Sequence, residues 1–66
     1  MEITVNGEPK ALARVLTVSE LLAELALEPK KIAVERNLEI VPKSRFDAER
    51  LADGDRIEIV QFVGGG

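Results

Sequence analysis

Cysteine, histidine, tryptophan and tyrosine are all absent from this chain of 66 residues. Without cysteine there is no disulfide and no thiol nucleophile, and without cysteine and histidine the usual soft ligands of a zinc site are missing. Without histidine the hydroxyls of Thr4, Thr17, Ser19 and Ser44 have no imidazole to activate them. These absences argue against a self-contained enzyme. They also remove the cross-links on which very small domains often rely, since a chain this short buries only about 60% of the surface its unfolded form exposes.

Aromatic residues are scarce: only Phe46 and Phe62. The net charge is −3, acidic and basic residues are interleaved, and the pair Lys30-Lys31 is the longest basic run. A nucleic-acid surface would need a basic stripe or stacking aromatics, so none is expected. No apolar run approaches the roughly 20 residues of a membrane-spanning helix. Met1-Glu2-Ile3 does not open a charged and then apolar signal pattern, and the cytoplasm is the expected compartment. Asp53-Gly54-Asp55 reads as a turn, because a calcium site needs about 6–8 oxygen ligands. No metal site is expected.

Met1-Glu2-Ile3-Thr4-Val5 alternates with period two, the pattern of a half-buried strand. Asn6-Gly7 follows, a two-residue hairpin signal because both residues accept positive φ. A return strand is predicted from about Lys10 to Arg14, with Pro9 near the turn or at a sheet edge. Thr17-Val18-Ser19-Glu20 is a capping box, and Leu16 and Leu21 are placed as a hydrophobic staple. Val18, Leu21, Leu22 and Leu25 form one apolar helical stripe, and Pro29 is the predicted stop, with Glu28 before it biased away from helical geometry. Ile32–Arg36 and Glu39–Val41 read as strands. Residues 43–52 read as irregular, anchored by Phe46 and Leu51, and Arg56–Val63 reads as the last strand. One helix packed on one face of a mixed sheet is an α+β arrangement.

Four segments, in order, then resemble a known family. They are Met1–Gly7, Val18–Leu22, Ala33–Asn37 with Ile40-Val41-Pro42, and Asp53–Ile59 running on to Gly64-Gly65-Gly66. Together they are similar to the thiamine-biosynthesis sulfur carriers (ThiS), β-grasp relatives of ubiquitin, over essentially the whole chain. Molybdopterin-synthase small subunits share that fold and a Gly-Gly end but resemble the chain less, being usually longer and often carrying prolines before the final glycines. The resemblance implies a β-grasp domain over residues 1–63, with a four- to five-stranded sheet, and a flexible glycine tail over residues 64–66.

The resemblance also implies a reaction. An E1-like adenylating enzyme resembling ThiF uses ATP to adenylate the carboxylate of Gly66. Sulfur from a cysteine desulfurase relay displaces AMP and leaves a thiocarboxylate, which thiazole synthase (ThiG-like) consumes. The chain itself binds no cofactor in this scheme. Gly64 and Gly65 give access, because glycine lacks a Cβ and forms a thin arm whose ordering costs roughly 1–2 kcal/mol per residue. A molybdopterin-type carrier, a ubiquitin-like protein modifier and a plain β-grasp interaction domain are the alternatives.

The last strand breaks its alternation. Ile57 and Ile59 share one face, whereas Val60 and Phe62 have the opposite parity. Either a bulge or a second small core accommodates them, or they form an exposed apolar docking patch with Val63 beside the tail. Arg36, Lys43, Arg45, Arg56, Glu35 and Glu58 either rim that patch and steer partners or are ordinary solvated charges.

Overall fold

The computed structural model describes residues 1–62. Its elements are β1 (Glu2–Val5), β2 (Glu8–Ala11), α1 (Val18–Glu24), β3 (Ile32–Arg36), β4 (Glu39–Val41) and β5 (Arg56–Gln61), with short 3-10 turns at Pro29–Lys31 and Lys43–Arg45. The five strands form one mixed sheet in the order β2-β1-β5-β3-β4. The pairing of β1 with β5 is parallel and the other pairings are antiparallel. This is the β-grasp arrangement, with β5 at the centre and one helix on one face.

Asn6 and Gly7 both take positive φ, 51° and 83°, the geometry of a tight hairpin turn whose twist matches the flanking strands. The turn closes at once, so β2 starts at Glu8 opposite Val5. The return strand is therefore Glu8–Ala11 rather than Lys10–Arg14. Pro9 is tolerated inside it for a definite reason. Thr4 sits opposite Pro9 but donates its N–H to the Asp55 carbonyl on the other side, at 3.0 Å. The Thr4–Pro9 pair is thus a non-hydrogen-bonded one, and the proline lacks a donor only where none is used, on an edge strand.

The helix start matches the capping box. The Glu20 N–H donates to Thr17 Oγ1 at 3.2 Å, and the Thr17 N–H donates to Glu20 Oε1 at 2.9 Å. A helix leaves its first four N–H groups without helical partners. Here Val18 donates to the Glu49 carbonyl, Ser19 to the Phe46 carbonyl and Glu20 to Thr17, and the Leu21 N–H begins the ladder at the Thr17 carbonyl. The irregular segment before β5 thus wraps the helix start and caps it.

The helix end differs from expectation. It stops at Glu24, not before Pro29. Ala26 adopts a left-handed φ of 58°, the Leu27 N–H donates to the Leu22 carbonyl, and the Ala26 N–H donates to the Ala23 carbonyl. These two bonds make a Schellman motif with alanine where glycine is usual. The reversal lets Leu25 and Leu27 both lie against the core, which a continued helix would not allow.

Ile3, Leu12, Leu16, Val18, Leu21, Leu22, Ile32, Val34, Val41, Phe46, Leu51 and Ile57 form the core. The anchors expected at Phe46 and Leu51 and the staple pair Leu16 and Leu21 are among them.

Candidate functional site

The register of β3 against β5 runs without interruption from Ile32–Gln61 to Arg36–Ile57. No bulge interrupts it, so strict alternation decides which face each residue takes. Ile57 is fully buried, which sends Glu58 and Val60 to the opposite face, away from the helix. Val60 is 61% exposed and Phe62 45% exposed. Of the two readings left open by the sequence, exposure is the one observed. Val63, Gly64, Gly65 and Gly66 lie outside the described residues.

The outer face of the sheet carries a further exposed apolar residue that the sequence reading did not name. Ile40 of β4 sits opposite Glu35 of β3 and is 73% exposed. A signal was available: Ile40 and Val41 are adjacent in a strand, and with Val41 buried, Ile40 must face out. Leu38, at the tip of the β3–β4 turn with φ 72°, is also exposed. Ala33 lies opposite Val60 on the same face. Exposed apolar residues on one face of a sheet are a candidate contact site.

At the edge of the patch, the Phe62 N–H donates to the Lys31 carbonyl at 2.8 Å. The Lys43 ammonium lies 5.3 Å from the centroid of the Phe62 ring and 3.4 Å from the Lys30 carbonyl. A cation over an aromatic face contributes about 0.5–1 kcal/mol at an exposed site. It also restrains the ring that precedes the glycine tail.

Behind the patch, a polar network fixes the frame. Asp55 is buried and accepts three hydrogen bonds: Arg36 Nε at 2.8 Å, the Ala52 N–H at 2.7 Å and Asn37 Nδ2 at 3.1 Å. Arg36 also donates through Nη1 to Glu49 at 2.9 Å, and Arg45 reaches the other oxygen of Glu49. Burial alone would raise the pKa of Asp55, but the Ala52 N–H, the Asn37 amide and the Arg36 guanidinium outweigh it and hold the carboxyl below its usual range. Burial likewise opposes the Arg36 charge, and Glu49 and Asp55 overcome it and hold the guanidinium protonated. Arg36 and Arg45 are therefore engaged in structure. Of the charges named as partner-steering candidates, Lys43, Arg56, Glu35 and Glu58 make no ion pair among the described residues.

On the helix side, a shallow cleft of about 660 Å³ is lined by Val5, Glu8, Leu25, Leu27 and Ile59. It brings together no nucleophile and base. Among the described residues, no group of three or more acidic side chains could hold a metal ion. No described helix is long and apolar enough to cross a membrane.

The ThiS family model matches residues 3–66. The chain is 54% identical over 50 residues to the sulfur carrier protein ThiS of Bacillus subtilis, covering 76% of each chain. It is 50% identical over its whole length to a thiazole synthase of Paramagnetospirillum magneticum, of which it spans only 20%. The crystal structure of the thiamine biosynthesis protein ThiS from Geobacter metallireducens superposes with a TM-score of 0.86 at 40% identity, and all of both chains is covered.

Proposed function

Because this chain belongs to the ThiS family, we propose that it is a sulfur carrier of thiamine biosynthesis whose reacting group is the main-chain carboxylate of Gly66. That carboxylate is ionised at neutral pH and is a poor electrophile, since its reference pKa is about 3.3–3.7. Adenylation by an E1-like enzyme with ATP, releasing pyrophosphate, turns it into a mixed anhydride. A sulfide equivalent from a cysteine desulfurase relay then displaces AMP and leaves a thiocarboxylate. Thiazole synthase takes the sulfur, and the carboxylate is regenerated.

The chain's composition supports this division of labour. It contains no cysteine and no histidine, so thiol and imidazole chemistry is left to partner enzymes. The apolar face of Ile40, Val60 and Phe62 suits docking on those partners, with Val63 continuing it and Gly64 and Gly65 forming the arm that carries Gly66 into their active sites. The similarity of the whole chain to one fifth of a thiazole synthase supports that enzyme as a partner.

The identity with the Bacillus carrier, within a family match that runs through Gly66, carries the reading. Intact-mass measurement tests it. Incubation with ATP, the adenylating enzyme and a sulfur donor adds about 16 Da, one oxygen replaced by sulfur. A chain lacking Gly66 folds normally and gains no mass. A ladder of conjugates in place of the mass shift would identify a protein modifier instead.

A further inference from the structure

Glu35 and Glu58 are direct cross-strand partners in the β3–β5 ladder. Both lie on the exposed face of the sheet, since their neighbours Val34 and Ile57 are buried. Both are half-buried. Neither meets a lysine or arginine within 4 Å among the described residues. Side chains so placed have Cβ atoms about 4.5–5.5 Å apart, and like charges directly opposite destabilise a sheet. In the free chain this pair is therefore a cost, borne within the five-pair ladder of β3 and β5.

The surroundings indicate what relieves it. Ile40 flanks Glu35 on β4, and Ala33 and Val60 form the next pair along the same face. Apolar side chains thus border the two carboxylates on one side, and the exposed Arg56, two residues before Glu58 on the same face, borders them on the other without forming an ion pair to either. A partner that covered Ile40, Val60 and Phe62 with apolar groups alone would desolvate both charges without compensation, which is strongly unfavourable. A partner that placed a cation between them would remove their mutual repulsion and gain charge-assisted hydrogen bonds.

We infer that Glu35 and Glu58 form a cation-receiving clamp within the docking face, and that the occupant is thiazole synthase, presenting an arginine or lysine flanked by apolar side chains. The choice of partner rests on the carrier reading and on the occurrence of a similar domain within a protein named thiazole synthase. An arginine fits better than a lysine, because its planar fork can donate to two carboxylates at once.

The clamp predicts opposite effects on stability and binding. Glu35→Gln, Glu58→Gln and the double variant each raise the urea midpoint of the free chain, because repulsion is removed. Each single variant weakens binding to the host's thiazole synthase by about tenfold, as expected for truncating one partner of a desolvated charged contact. The wild-type affinity falls with added salt, and that dependence flattens in the double variant. Calorimetric titration and urea unfolding supply the two readouts.

Variants that bind the synthase as tightly as wild type, or that lose stability or fail to fold, overturn the clamp. The mass shift at Gly66 is measured separately on the same proteins. If it appears in wild type and all variants, the carrier reading stands whatever the binding result. A wild-type chain that gains the mass but does not bind the synthase overturns the clamp alone.

Discussion

Replacing Asp55 by asparagine changes one atom in the network that joins the β3–β4 hairpin to the start of β5. Asp55 accepts three hydrogen bonds, from Arg36, Ala52 and Asn37, and donates none. An amide keeps one acceptor oxygen. Turned toward Arg36 and Ala52, it aims its NH2 at the Asn37 amide, which is itself held because Asn37 Oδ1 accepts the Arg56 N–H at 2.9 Å. Turned the other way, it opposes two donors. The better orientation leaves one buried donor facing another, worth about 1–3 kcal/mol, and also removes the negative charge beside Arg36. The expected loss is about 2–4 kcal/mol, a fall in Tm of about 15–30 °C in a domain of this size. The pH dependence follows from the lowered pKa of Asp55. A carboxyl depressed in the folded state contributes fully above its unfolded value, about 4, and that contribution is lost as the pH falls through the folded value. The stability gap between wild type and variant is therefore widest near neutrality and closes on acidification. Thermal unfolding followed by circular dichroism at neutral pH and in acid measures both. A gap below about 0.5 kcal/mol at neutral pH, where ordinary surface substitutions fall, or one that widens in acid, refutes the reasoning.

Ala26→Gly is expected to stabilise the chain by about 0.5–1 kcal/mol, because relief of the left-handed strain exceeds the extra unfolded-state entropy of glycine; urea unfolding checks it. Phe62→Asp is expected to leave the folding free energy within about 1 kcal/mol of wild type, the ring being exposed. The same change is expected to weaken binding to the adenylating enzyme and to thiazole synthase by at least about tenfold, as for an aromatic anchor, measured by titration.

The elements that could be read in the sequence were those with local chemistry. The Asn6-Gly7 turn, the Thr17–Glu20 capping box and the runs Ile32–Arg36 and Glu39–Val41 each carry their own instruction, and each appears where expected. The helix end did not, because the residue that reverses the chain is Ala26, which has no preference for positive φ. Only the tertiary need to bury Leu25 and Leu27 selects that conformation. The start of β2 was obscured by Pro9, whose harmlessness depends on which side of β1 faces β5. Asp55 read as one end of a turn, and its role as a buried acceptor depends on Arg36 and Asn37, which are distant in sequence. At the site, parity alone exposed the anomaly of Val60 and Phe62. Ile40 was legible by the same rule once Val41 is placed in the core. The Glu35–Glu58 pairing requires the register of two strands that the sequence separates.

Under the proposed function, the sulfur of the thiazole ring passes through the carboxylate of Gly66. The direct measurement loads the chain with radioactive sulfur, isolates it, and supplies it to thiazole synthase with the enzyme's other substrates and excess unlabelled sulfide. Label leaving the protein and appearing in the thiazole, in proportion to protein consumed, is the predicted result. Label that stays on the protein while unlabelled thiazole forms would show that the chain does not deliver the sulfur.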